Sequence, residues 1–121
     1  MAYTRIKSFL IAGFQYHEGA LAFSQMEIGT KLQLRAEPEN RWDHNAVAIY
    51  FADYKLGYIP RDENHDIAKI LQAGHEIFET VVQQLDPREN PANQVRVVIF
   101  VLPAEQSLDS NLSIIEGVNH E

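Results

Sequence analysis

Leu34–Arg61 reads LRAEPENRWDHNAVAIYFADYKLGYIPR, and this stretch decides the fold. Lys31–Ala36 alternates, with Leu32 and Leu34 on one face and Lys31, Gln33 and Arg35 on the other, as a half-buried strand does. Pro38 ends that run, because proline cannot donate to a strand ladder. Glu39–His44 is a turn rich in short polar residues, and it holds the only tryptophan. Asn45–Phe51 is rich in branched and aromatic residues and reads as a strand. Ala52–Tyr54 turns the chain, and Lys55–Ile59 is the returning partner, stopped by Pro60. The hairpin therefore carries an unusual density of aromatic faces, amides and one arginine.

Working outward, Arg5–Gly13 is a first strand that ends at a glycine. Phe14–Gly19 is a loop or short irregular strand. Ala20–Ile28 has neither a two-residue nor a 3.6-residue apolar period and is expected to be loop. Asp62–Ala73 is the convincing helix. Asp62 is its N-cap, Glu63 and Asp66 load the first turns, and Gly74 terminates it. His75–Leu85 and Gln94–Leu102 are two further strands, joined by the proline- and asparagine-rich loop DPRENPAN. The pattern predicts a mainly β fold with one or two helices: a small, partly closed barrel of OB-like or SH3-like type. Residues 1–102 form the expected domain. Residues 103–121 are expected to be a polar tail, partly docked through Leu112, Ile114 and Ile115.

A chain of 121 residues fits one domain. Its hydrophobic content of 45% argues for a folded protein rather than disorder. The absence of cysteine excludes disulfides and thiolate metal sites. No apolar run approaches the roughly 18 residues of a membrane span. SFLIAGF is too short for a secretory leader, so a cytoplasmic location is expected. The net charge of −7 speaks against nucleic acid until its distribution is considered. Residues 1–61 carry seven Lys/Arg against six Asp/Glu, whereas residues 62–121 carry three against eleven. A phosphate ligand is therefore expected to approach through the first half.

Three elements together resemble the HIRAN domain: Gly13-Phe14-Gln15-Tyr16, then Glu37-Pro38-Glu39-Asn40-Arg41-Trp42-Asp43-His44-Asn45-Ala46-Val47, then Leu56-Gly57-Tyr58-Ile59-Pro60-Arg61. The middle element is the specific one. The resemblance runs from about Phe9 to Leu102, as counted on the sequence. It implies a modified OB-type barrel with about two helices. It also implies a non-catalytic module that captures the 3′ end of single-stranded DNA, in replication-fork or damage processing, and works beside a separate helicase or nuclease. The implied binding residues are Gln15 and Tyr16; Asn40, Trp42, Asp43 and Asn45; and Tyr58 and Arg61. In the eukaryotic pattern Gln15 is arginine, Trp42 is tyrosine and Tyr58 is histidine. A late stacking aromatic from the segment near Gln83–Asn93 has no counterpart here.

Physical chemistry leaves two readings at most of these positions. Trp42 either offers its face to a base, worth roughly 1–3 kcal/mol, or folds down as a lid anchored by its indole N–H. Asp43 repels phosphate and suits DNA only at a terminal nucleotide, whose free 3′-hydroxyl donates to it. Its alternative is an Asx turn, and the two are compatible because a carboxylate has spare lone pairs. Asn40 closes a turn. Tyr16 and Tyr58 either stack a base or fill the barrel mouth. Arg61 pairs a phosphate near the helix start or a neighbouring acid. Lys31 and Arg35 either track a backbone or form a solvated strand face. His17, Asp43 and His44 match no standard zinc spacing, and no cofactor is expected. No G-x-S-x-G, H-E-x-x-H, P-loop or G-x-G-x-x-G motif occurs. Asp62, Glu63 and Asp66 read as an acidic first turn rather than a magnesium site. The competing function is a protein-interaction module that docks a DNA-processing enzyme through the acidic half and the apolar tail patch.

Overall fold

The computed structural model describes residues 3–104. Six antiparallel strands form one sheet: β1 (Thr4–Leu10), β2 (Lys31–Ala36), β3 (Val47–Phe51), β4 (Tyr54–Tyr58), β5 (Phe78–Leu85) and β6 (Val95–Val101), in the order β1-β6-β5-β2-β3-β4. Two helices accompany them, the single turn α1 (Gly19–Ala22) and α2 (His65–Gln72). The first and last strands pair from Thr4 opposite Val101 to Leu10 opposite Arg96.

Branched residues on alternate positions of β3 and β6 turn inward, as the pleat requires. Val47, Ile49, Val97 and Ile99 are fully buried, and Phe9, Leu32, Leu56, Val82 and α2's Ile67 close the same core. α2 buries Ile67 and Ala68 and leaves its polar face outward.

The expected barrel is not closed by a strand ladder. Among the described residues its two outer strands are joined by one isolated bridge, past the end of β1. There Ala12 N–H donates to Tyr58 O (2.8 Å) and Tyr58 N–H donates to Ala12 O (2.9 Å). Gly57 makes that approach possible: its φ is +147°, and a Cβ there would run into the Ala12 carbonyl oxygen and the Ile11 side chain. Glu18 then covers the next stretch of the β4 edge, its N–H donating to Lys55 O and its carboxylate accepting from Lys55 N–H.

Two further expectations change. Residues 14–25 are not plain loop. They run as a 3₁₀ turn (Phe14–Tyr16), α1 and a second 3₁₀ turn (Phe23–Gln25), with Phe14, Ala22 and Met26 buried. Gly19 lies against the Phe14 ring with no room for a Cβ. This segment packs as a plug, and its apolar residues follow the plug's shape rather than a regular period. The helix predicted from Asp62 starts later. Arg61–Glu63 is a 3₁₀ turn, α2 begins at His65, and Asn64 stands at its N-cap. Of the predicted tail, 105–121 lies outside the described residues, including the Leu112, Ile114 and Ile115 patch; Pro103 is buried and Ala104 exposed.

Candidate nucleic-acid interface

The Glu39–His44 turn is built by Asn40. Its side-chain oxygen accepts from the N–H groups of Trp42 (2.9 Å) and Asp43 (3.1 Å), and its amide donates to Glu37 (3.0 Å). Asp43 continues the device, its Oδ1 accepting from Asn45 N–H at 2.9 Å. Both are Asx-type turns, in which a short polar side chain does the work of a backbone partner. Trp42 is left 75% exposed, with the Arg41 guanidinium 4.8 Å from its ring centre. The lid reading of Trp42 therefore fails, because an indole so exposed closes nothing.

Below the turn lies a cavity of about 470 Å³, lined by Ala12, His17, Asn40, Trp42, Asp43, Ala46, Tyr58, Ile59, Arg61 and Asn64. Asp43 is its acid, with the side chain only 18% exposed. Its Oδ2 accepts from Asn64 Nδ2 at 2.8 Å and lies 3.6 Å from Arg61 Nε. Burial pushes the Asp43 carboxyl upward. The Asn45 N–H, the Asn64 amide and the Arg61 and His44 charges outweigh it and hold the group below the usual carboxylate range. Arg61 is 74% exposed, so its guanidinium sits at the rim with donors to spare.

The opposite wall is Tyr58, fixed by a polar cluster. Its hydroxyl donates to Glu37 (2.8 Å) and accepts from Lys55 Nζ (2.6 Å), while Lys55 also pairs with Glu37 at 3.0 Å. Burial and the Glu37 bond raise the Tyr58 hydroxyl's pKa. Burial would lower that of Lys55, but its bonds to Tyr58 and Glu37 raise it. Burial opposes ionisation of Glu37 too, yet its bonds from Asn40, Lys55 and Tyr58 keep it low. The Lys55 ammonium also lies over the Tyr58 ring, 4.5 Å from its centre, and the His17 ring stands at 67° to it with ring centres 5.6 Å apart. Burial, and then the Lys55 charge, hold His17 below its ordinary value.

Five predicted residues thus meet in one cavity: Asn40, Trp42, Asp43, Tyr58 and Arg61. Asn45 serves it from behind through its N–H. Gln15 and Tyr16 stand on the exposed turn before His17, outside the lining; Tyr16 is 80% exposed. Lys31 and Arg35 are elsewhere. Lys31 reaches Glu79 at 3.4 Å, and Arg35 stacks on Tyr50 at 3.9 Å. Neither lines this cavity, and Arg35 lines a second cleft. His44 points its Nδ1 at Pro38 O (3.0 Å) and does not join His17; among the described residues no three metal-ligating side chains cluster. The lining residues that the sequence does not single out are Ala12, Ala46, Ile59 and Asn64, and it suggests His17 only as a metal ligand. Asn64 has no local signal, because its partner is 21 positions away.

A cavity between the Asx-built tryptophan turn and the Gly-Tyr-Ile-Pro-Arg strand end joins the elements that the sequence spaced apart. The family model of the HIRAN domain matches residues 7–101. The chain belongs to the HIRAN domain family, known for DNA binding. Two solved structures share the HIRAN fold seen here. One is a Lactobacillus plantarum protein from structural genomics, with a TM-score of 0.69 and 22% identity over 83% of this chain and 95% of that one. The other is the HIRAN domain of human HLTF, with a TM-score of 0.56 and 17% identity over 81% and 78%. No curated protein sequence matches the chain.

Proposed function

We propose that this HIRAN domain holds the 3′ end of single-stranded DNA in the cavity beneath Trp42. One observation carries the reading: an ionised carboxylate, Asp43, lines a cavity whose rim offers an open indole and an exposed arginine. A carboxylate in a DNA site is unfavourable against an internal phosphodiester and favourable against a hydroxyl donor, which a strand supplies at its terminal sugar. Trp42 supplies a face for a base, Arg61 a charge for the adjoining phosphate, and Asn40 and Asn64 keep the acid in place. The domain acts by capture and has no chemistry of its own; replication-fork or damage processing is the setting this suits, with a helicase or nuclease as the working partner.

The test is a titration of labelled single strands carrying a 3′-hydroxyl, a 3′-phosphate or no accessible end, at low and moderate salt. Tight binding to the free hydroxyl alone is expected. Equal binding to all three would leave a generic single-strand binder and remove Asp43 from its role.

A further inference from the structure

A second cleft, of about 540 Å³, is lined by Leu32, Gln33, Leu34, Arg35, Leu71, Glu76, Phe78 and Thr80. Four consecutive residues of β2 line it. Neighbouring side chains on a strand point to opposite faces, so a cavity touching four in a row lies along the strand's edge. The sheet itself explains this. β2 pairs with β5 only at Lys31–Val81 and Leu32–Thr80, whereas it pairs with β3 from Gln33 through Ala36. Past Leu32, β5 has parted from β2.

The backbone directions along this edge follow from two bonds. Glu37 N–H donates to Ala46 O, on the β3 side, and Thr30 O accepts from Val82 N–H, on the β5 side. In an antiparallel strand these directions alternate. Gln33 and Arg35 therefore turn their backbone groups to β3, while Leu34 and Ala36 turn theirs toward the parted β5. Neither has a partner strand there among the described residues. A second observation points into the same place. Thr80, 2% exposed and part of the lining, has a buried hydroxyl with no hydrogen-bond partner among the described residues. A buried hydroxyl of this kind is costly unless something reaches it.

We infer that the split between β2 and β5 is a docking site for an extended peptide segment of a partner protein, which adds as a strand to the Leu34–Ala36 edge. Its backbone bonds Leu34, an apolar side chain enters between Leu71 and Phe78, and an acidic side chain meets Arg35. Arg35 has no acid within ion-pairing distance among the described residues. Nucleic acid is the poorer occupant, because Glu76 lines the cleft and Glu79 follows beside it.

The probe is a random seven-residue peptide display library panned on the full chain. The enriched peptides are synthesised and titrated into the isotopically labelled protein. Expected are peptides with an acid spaced from a large apolar residue, shifts at the Leu34, Ala36 and Thr80 amides, and slowed hydrogen exchange at Leu34 on binding. Arg35→Glu, an exposed change, should weaken binding at least tenfold. Thr80→Val should raise the melting temperature of the free protein and yet weaken the peptide several-fold. Any of these results would overturn the proposal: no enrichment; enriched peptides that shift Tyr58 and Arg61 instead; or a Leu34 amide already protected without peptide, which would mean the chain fills its own cleft. Shifts at Leu34 produced by a single-stranded oligonucleotide and not by peptide would do the same.

Discussion

At the scale of single residues, the proposed site gives Trp42 and Asp43 separate tasks. Trp42 touches little of the protein, so its loss should leave the fold intact. Trp42→Ala is expected to weaken 3′-hydroxyl single strands by about tenfold, within the roughly 1–3 kcal/mol of one base–aromatic stack, with the melting temperature unchanged within a degree or so. Isothermal titration and thermal unfolding on the same samples check both halves. Asp43 is expected to confer preference for hydroxyl over phosphate ends, and that preference should depend on its charge. Its pKa lies below the ordinary carboxylate value, so the group stays ionised as pH falls from 7.5 to 5, and the preference should be flat across that window. The same sign governs stability. A depressed folded pKa gives a contribution that is full above the unfolded value, near 4, and is lost as pH drops through the folded one. A preference lost only as pH falls below the ordinary imidazole value of about 6.5 would implicate His17, whose own value is lowered, instead. From the sequence, Asp43 presented two roles, turn-former and ligand acceptor. The structure assigns one oxygen to the turn and the other to Asn64 and Arg61, so both roles fit one side chain.

At the scale of elements, the hairpin and the helix start were legible to different degrees. The β3–β4 pair followed from its residues because β propensity, a turn and a proline stop agreed within a short window. Its turn places Ala52 at φ +51°, a left-handed conformation that glycine adopts without penalty. Ala52→Gly is therefore expected to stabilise the protein by up to about 1 kcal/mol, seen as a rise of about 2–5 °C in melting temperature. The start of α2 was misread for a physical reason. Asp62 and Asn64 are equally good cap residues by type, and Asn64, 3% exposed, stands at the cap without a side-chain cap bond because its amide donates to Asp43 at 2.8 Å. Local cap preference offers both residues, and the tertiary bond to Asp43 decides between them. Asn64→Asp sets a second carboxylate against the first. It should lower the melting temperature clearly at pH 7 and less at pH 4, where one of the pair takes up a proton. A deficit independent of pH would mean that the change disturbs packing rather than charge. The plug at 14–25 escaped because its apolar residues serve an irregular surface. Partial closure was expected, but not the place where the sheet parts, because strand counting says nothing about it.

At the scale of the molecule, the charge distribution sets how strongly salt acts. Arg61 lines the cavity and Arg41 stands over Trp42, while Lys31 and Arg35 lie along β2, outside it. Few phosphates are neutralised, so the plot of log K against log salt should have a shallow slope, about −0.7 to −1.4 for one or two contacts on a single strand. Arg61→Ala should flatten it by about one contact, while Lys31→Ala should leave it alone. A steep slope would mean a longer track across the surface than one end-cavity provides.

Thr4 faces Val101 across the pairing of the first and last strands. A domain whose described strands begin and end side by side is a cassette. Those two strand ends can be bridged by a linker and the domain cut open elsewhere without crossing its own core. The Asp86–Asn93 connection, exposed over most of its length, is the natural place for the cut. A permuted chain opened there should fold and bind as the original does. The same geometry lets such a unit be set into a surface loop of a larger enzyme with neither part deformed.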